Sequence, residues 1–165
     1  MNTLVIRSLL VAAILVPFSA TAAEGGSAGT TKSTAAAPAH EKLPFDTNGT
    51  WKPIAAVMGG VRLPKQAVDA ITLRVDGDNY QVTVAGEPES DKGTCVVDTS
   101  KRPWRMTITG KEGPNKGKTV LAIFEMKNEV SMRVCYDLSG KEFPTEFKAK
   151  KGTQLYLAGY RRQKE

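Results

Sequence analysis

Short two-sided segments separated by turns constrain the fold of this 165-residue chain more than any other feature. In one of them, Tyr80, Val82 and Val84 alternate with the polar residues Gln81 and Thr83. A period of two indicates a half-buried β-strand, and many such strands divided by glycine and charged turns are typical of a sandwich or a barrel. The pattern predicts strands over residues 50–57, 70–75, 80–84, 94–98, 104–108, 119–126 and 130–137, and a last strand from 154 to 161 or 162.

About eight consecutive strands predict an all-β fold, an antiparallel up-and-down barrel, because closing the sheet removes both of its exposed edges. One short helical turn is expected after the first strand, with Pro64 at the first helical position. An immunoglobulin-like sandwich is the runner-up, but it needs a tryptophan well inside the chain packed on a disulfide, and Trp51 lies too early. A barrel of this size can hold one small ligand.

The N-terminal part of the sequence predicts processing and export. Arg7 precedes the apolar stretch 8–18, and small residues follow up to Ala23, which is the pattern of a secretory signal peptide. The stretch is shorter than the ~20 residues that a membrane-spanning helix needs. We therefore expect cleavage after residue 23 and a soluble protein in the periplasm or outside the cell. Residues 24–42 are expected to be a flexible linker, and residues 43–165 the folded domain.

The chain is basic, with a net charge of +6 that becomes +5 when Arg7 is removed. Basic residues gather in residues 111–118 and 148–151, so an anionic component of the cell envelope is one conceivable partner. A solvated face of exposed strands and loops explains the same charges. Aromatic residues do not alternate with the basic ones, as binding of a single-stranded nucleic acid would require, so no nucleic-acid partner is expected.

The residues that could catalyse a reaction or bind a metal are sparse. The single histidine, His40, lies in the expected linker, where nothing would orient it as a base. The acidic run 87–91 lacks the spacing of a calcium loop and is expected to be a solvated turn. Glu125 and Asp137 are candidates for a carboxylate pair by position only. We therefore predict a protein that is not an enzyme and has no metal or other cofactor.

The two cysteines, Cys95 and Cys135, leave two alternatives open. In an oxidising compartment a pair of cysteines usually forms a disulfide. Strands in simple order would place these two far apart on the barrel wall, however, and a disulfide needs Cα atoms within ~7 Å. Cys135 also alternates with outward-facing residues. An intramolecular disulfide and two buried free thiols therefore both remain possible.

The first strand opens with Gly49-Thr50-Trp51, in which the glycine permits a tight turn and the indole can close one end of a barrel. With its order of short motifs, the domain resembles a lipocalin-like family of uncharacterised exported proteins that is common in planctomycete bacteria. The family usually has an arginine where this chain has Phe143. The other motifs that carry the resemblance are Leu63-Pro64, Gly93-Thr94, Gly117-Lys118-Thr119, Ile123-Phe124-Glu125, Cys135-Tyr136, Pro144-Thr145-x-Phe147 and Arg161-Arg162.

The resemblance implies a fold and a compartment but no reaction. Lipocalin-like barrels often stack an arginine of the last strand on the tryptophan of the first. Arg161 or Arg162 would fill that role beside Trp51, with Gly49 completing the closed end. The sequence leaves open which face of the last strand points inward.

Two functions follow from these observations. In the first, the barrel binds a small apolar or amphipathic ligand, oriented by polar groups such as Tyr80, Tyr136 or Arg105. In the second, side chains fill the barrel, and the basic loops dock on an anionic envelope component. The candidate residues of the cavity are Tyr80, Val82, Val84, Trp104, Met106, Ile108, Phe124 and Tyr136.

Overall fold

A computed structural model describes residues 43–164 of the chain. The expected signal peptide, most of the expected linker and His40 lie outside the described residues. Within them, nine β-strands and one α-helix follow one another along the chain. The elements are β1 Gly49–Met58, β2 Val61–Arg62, α1 Lys65–Ala70, β3 Ile71–Asp76, β4 Asn79–Val84, β5 Asp91–Asp98, β6 Trp104–Glu112, β7 Thr119–Asn128, β8 Ser131–Asp137 and β9 Leu155–Arg162.

The sheet closes on itself because β1 pairs with both β3 and β9. Trp51 pairs with Leu73 of β3 on one side and with Arg162 of β9 on the other. Every strand pair is antiparallel, and β2 is a two-residue strand that folds back on the end of β1. Eight strands therefore form the wall, which confirms the predicted all-β, eight-stranded antiparallel barrel.

The predicted helical turn is confirmed as α1, although Pro64 is the N-cap residue and the helix begins at Lys65. Proline has no N–H to donate, so it fits a helix start, where the N–H groups have no partner within the helix. Val68 is the buried residue of α1. The helix therefore packs one apolar side chain against the barrel core.

Strand register fixes which side chains point into the barrel. Ala122 of β7 pairs with Tyr136 of β8, which pairs with Tyr156 of β9. Paired residues in an antiparallel sheet lie on the same face, so these three share the inner face. Further inward-facing residues of the core are Trp51, Leu73, Phe124, Met126, Met132, Val134, Ala158 and Tyr160.

A long connection, residues 138–154, crosses the outer face of β7 and β8, and we call it the strap. Cys135 and Ile123 are paired outward-facing residues, yet each is almost completely buried. The Cys135 thiol lies 3.7 Å from the carbonyl oxygen of Lys148 in the strap. The Arg133 guanidinium lies 4.1 Å from the ring centroid of Phe147. The strap therefore gives the wall a second, external layer of buried residues.

Candidate functional site

One end of the barrel, which we call the closed end, is stoppered by Trp51. Its indole is fully buried, and its Nε1–H donates to the carbonyl oxygen of Thr47 at 2.9 Å. The Arg162 guanidinium lies 4.8 Å from the indole centroid, and its Nη2 donates to the carbonyl oxygen of Asp46. Gly49 enters β1 with φ of +118°, which side chains rarely tolerate. The structure thus brings Gly49, Trp51 and Arg162 together.

Arg161 takes no part in this stack. It pairs with Lys52 on the outer face and is exposed. Arg162 pairs with Trp51 itself, which settles the direction of β9: Tyr156, Ala158, Tyr160 and Arg162 point inward.

The opposite end, which we call the mouth, is formed by the loops after β4, β6 and β8 together with the turn from β1 to β2. The eight cavity candidates named from the sequence all belong to the inward-facing set. They do not share one environment, however. Phe124 is buried in the packed core, and Val84 is buried on β4. The other six candidates keep exposed surface: Tyr80, Val82, Trp104, Met106, Ile108 and Tyr136.

The inward-facing residues with exposed surface lie mainly on β4, β5 and β6. Val97 pairs with Met106, and Cys95 pairs with Ile108; all four are only partly buried. The inward-facing residues of β7 to β9 are largely buried, except near the mouth, where Tyr136 and Tyr156 are partly exposed. The partial exposure of these inward-facing side chains indicates that side chains do not completely fill the space beside them, because close-packed interiors leave no exposed surface. We call this space the lumen.

A cluster of three phenols lies on the inner face of β8 and β9, with Tyr136 and Tyr156 at the mouth end and Tyr160 nearer the closed end. The rings of Tyr136 and Tyr156 stack with centroids 5.6 Å apart, and the hydroxyls of Tyr136 and Tyr160 are 3.1 Å apart. The hydroxyl of Tyr156 is buried; it interacts with the Tyr160 hydroxyl but makes no close hydrogen bond in the described part of the chain. Burial raises the pKa of all three hydroxyls above the ordinary value of tyrosine. They are therefore neutral donors at physiological pH.

Asp91 is the one carboxylate on the inner face of β5. It pairs with Val82 and is buried, where the sequence suggested a solvated turn. The Tyr80 hydroxyl donates to it at 3.1 Å, and Asn115 donates its backbone N–H at 3.2 Å and its side-chain amide at 3.0 Å. Asp91 thereby ties the loop after β6 to β5. Burial and the Asp91 charge raise the pKa of Tyr80.

The two cysteines lie on opposite faces of the wall. Cys95 points into the lumen, and Cys135 lies under the strap. Both are free thiols. Burial and then the Asp78 charge raise the pKa of Cys95 to about 12, so its thiol is protonated. Burial likewise raises the pKa of Cys135.

Arg105 does not point into the lumen, and the expectation that it could orient a ligand there is wrong. It pairs with Ile123 on the outer face, and its guanidinium lies 4.7 Å from the ring centroid of Phe143 in the strap. The alternation along β6 already indicates in the sequence that Arg105 points outward when Trp104 and Met106 point inward.

A polar groove of about 300 Å³ crosses the outer surface of β3 to β6. Lys92 and Glu112, which form an ion pair of 2.9 Å, lie in its lining with Arg74 and Gln81. Its charged lining suits water better than an apolar ligand.

Within residues 43–164 no cluster of histidine, cysteine and acidic side chains could hold a metal ion. None of the helices described is long and apolar enough to span a membrane.

Fold and interior together define a closed eight-stranded antiparallel β-barrel with one stoppered end. No protein-family model matches the chain, and no curated protein sequence shows significant similarity to it. Its resemblance to the planctomycete family accordingly stays a prediction.

Proposed function

We propose that the barrel binds one small apolar or amphipathic ligand in the lumen. The observation that carries the proposal is the exposed surface retained by inward-facing Met106, Ile108, Tyr136 and Tyr156. Phe124, which shares their face of the wall, retains none. The interior is therefore packed on one side and accessible on the other.

The lumen offers mostly apolar surface. Val82, Val97, Met106 and Ile108 contribute aliphatic groups, and the edge of the stacked pair Tyr136 and Tyr156 contributes aromatic surface. Removing apolar ligand surface from water stabilises a complex by about 25 cal/mol per Å² before the costs of association are subtracted. The binding is therefore expected to depend little on salt, since screening acts on charges.

Titration with N-phenyl-1-naphthylamine, a neutral fluorophore that brightens in apolar surroundings, tests this proposal. A lumen binder should show a saturable increase in emission at one site per chain, unchanged between low and high salt. Energy transfer from Trp104, whose indole lies 5.4 Å from Phe124 and keeps exposed surface, should report the same site. A linear, unsaturable signal would contradict the proposal.

Two adjacent positions on β5 provide a matched pair of variants. Val97 points into the lumen, and Val96 points outward with 63 % of its surface exposed. Val97→Trp should fill the lumen and weaken fluorophore binding by roughly tenfold or more, whereas Val96→Trp should leave it unchanged. An open lumen accepts the larger side chain with little loss of stability, but a packed interior loses about 1–3 kcal/mol. Unfolding curves of both variants therefore test for the lumen independently of any ligand.

The second candidate, docking of the filled barrel on an anionic envelope component, has weaker support. In the strap, Glu146 forms ion pairs with both Lys148 and Lys150, at 3.1 and 2.7 Å. The lysines of residues 111–118 lie at the mouth, and no aromatic residue lies among them to stack on a bound partner. Docking would require binding to anionic vesicles that disappears at high salt.

We also propose that the protein acts as a non-enzymatic binder after export. The support is the signal-peptide pattern of residues 1–23 and the absence of a histidine in residues 43–164. Mass spectrometry of the protein recovered from the producing cell should give a chain that begins at Glu24. A full-length mass would contradict the export proposal without affecting ligand binding.

A further inference from the structure

The polar groups that face the lumen bear no positive charge in the described part of the chain. Of the inward-facing residues, Arg162 is the cationic one, and it lies at the closed end on Trp51. Tyr136, Tyr156 and Cys95 are neutral at physiological pH for the reasons given above. The one carboxylate, Asp91, already accepts hydrogen bonds from Tyr80 and Asn115.

This balance of charge disfavours an anionic ligand. Moving a carboxylate from water into an apolar site is costly unless a cation or several donors compensate for the lost hydration. Arg102 lies over Trp104 near the closed end, and the lysines of residues 111–118 lie at the mouth, but the inward-facing residues of β4 to β8 include no lysine or arginine. Among them Asp91 adds repulsion. A ligand with a free carboxylate is therefore poorly matched to the site.

The phenol cluster has more hydroxyl protons than its internal contacts use. Three hydroxyls carry three protons, and the contacts of Tyr160 with Tyr136 and Tyr156 use at most two of them. The buried Tyr156 hydroxyl makes no close hydrogen bond in the described part of the chain and interacts with the Tyr160 hydroxyl, while its ring borders the lumen. A buried donor without an acceptor is costly, so an acceptor supplied by a ligand would be stabilising.

On the basis of the proposed lumen binding, we propose that the ligand is an uncharged amphipathic molecule whose carbonyl, ester or ether oxygen accepts a hydrogen bond from the Tyr136–Tyr156–Tyr160 cluster. Its apolar part would lie along β4 to β6. The cluster then acts as a selectivity element that distinguishes neutral lipids and related compounds from fatty-acid anions.

Competition against bound N-phenyl-1-naphthylamine tests this selectivity with two probes of equal chain length, methyl decanoate and decanoic acid. At neutral pH the ester should displace the fluorophore at a concentration at least roughly tenfold lower than the acid does. Near pH 4, where a carboxylic acid is about half neutral, the acid should approach the ester. Circular dichroism at both pH values establishes that the barrel is folded.

Tyr156→Phe tests the contribution of the hydroxyl to ligand binding separately from that of the aromatic ring. The variant keeps the stacked ring but removes the hydroxyl, so the ester should bind roughly three- to tenfold more weakly, as expected for one hydrogen bond. Binding of N-phenyl-1-naphthylamine, whose nitrogen is a poor acceptor, should change by less than about twofold. Thr107→Val is the control, because it removes a hydroxyl from the opposite face of β6. Tyr136→Phe serves if the first variant does not fold.

The outcomes distinguish the two proposals. If wild-type protein binds neither the fluorophore nor the ester, lumen binding itself is wrong. If it binds the fluorophore and the acid competes as well as the ester at neutral pH, lumen binding stands and the selectivity proposal is overturned. Equal loss of ester and fluorophore affinity in Tyr156→Phe would also overturn it, because that pattern indicates a structural role for the hydroxyl.

Discussion

The two sides of the barrel interior differ in packing although one continuous sheet forms both. On β7 to β9 large and small side chains alternate, so that Phe124, Met132 and Tyr160 interdigitate with Ala122 and Ala158, all of them buried. On β4 to β6 the inward-facing residues are mainly valine, isoleucine, methionine and cysteine, and apart from the buried Val84 and Asp91 the larger ones keep exposed surface. The difference shows that strand pairing sets the wall, whereas the size and spacing of side chains decide whether the space within it is filled.

The strongest test of this comparison is Phe124→Ala. Truncating a fully buried aromatic residue on the packed side should lower the free energy of unfolding by about 3–5 kcal/mol. Urea denaturation followed by circular dichroism measures the loss. A cost below about 1 kcal/mol would mean that this side is not packed as described.

Two methionines allow the same substitution on each side. Met132 on β8 is buried, and Met106 on β6 is partly exposed within the lumen. Met132→Ala should destabilise by about 2–5 kcal/mol, and Met106→Ala by less than half as much, because it removes fewer packing contacts. The same denaturation experiment compares them. Equal costs would refute the contrast between the two sides.

Substitutions of Arg162 and Arg161 compare a stacked arginine at the closed end with an exposed neighbour. Arg162→Leu removes the stack on Trp51 and the donation to Asp46, and should cost about 1–2 kcal/mol. Arg161→Leu, on the exposed outer face, should stay within about 0.5 kcal/mol of wild type. Thermal unfolding of the pair gives the difference, and similar values for both variants would contradict the assigned role of Arg162.

Acid should loosen the strap. Burial alone would raise the pKa of Asp137, but backbone N–H groups of Glu142, Ser139 and Lys141 and the Ser139 hydroxyl donate to it and lower that pKa overall. Its contribution to stability is therefore complete above the unfolded-state pKa of about 3.9 and is lost as the pH falls through the lower folded value.

Asp137→Asn mimics this loss at neutral pH. The variant should expose Cys135, which the strap covers, to thiol reagents severalfold faster than wild type, and it should show a weaker dependence of stability on pH below about 4. Mass spectrometry after partial labelling distinguishes Cys135 from Cys95. Unchanged labelling of Cys135 would show that Asp137 does not hold the strap.

The smallest expected effect concerns the oxidation state of the cysteines. The thiols lie on opposite faces of the wall, so the mass of the chain under non-reducing conditions should equal its mass after reduction. A difference of about two hydrogen masses would require that one strand turn its other face to the lumen.

Much of the wall could be predicted from the sequence because its signals are local. Alternation located the eight strands of the wall to within a few residues but not the two-residue β2. The β3–β4 hairpin turns at Asp76-Gly77-Asp78-Asn79, in which Gly77 has φ of +57°. The stack of a terminal arginine on Trp51 was also foreseen, but the choice of Arg162 required the register of β9.

The features that could not be predicted from the sequence depend on contacts between residues that are distant in the chain. Asp91 belongs to an acidic run that resembles a solvated turn, and only Asn115, 24 residues later, makes it a buried anchor. Cys135 alternates with polar residues, so its burial depends on the strap. Alternation in β9 was visible, yet the inward direction of Tyr156 and Tyr160 was not, and so the phenol cluster could not be assembled. Composition gave no measure of how much of the interior is filled.

The closed end also brings together the two ends of the described chain. Gln163 donates its backbone N–H to Thr50 at 2.8 Å, and Arg162 reaches Asp46. A short peptide could therefore join residue 164 to residue 43, and a circular permutant opened between β4 and β5 should keep the same wall. Because the C-terminal strand ends at the closed end, a C-terminal affinity tag would attach the barrel to a solid support by that end and leave the mouth accessible.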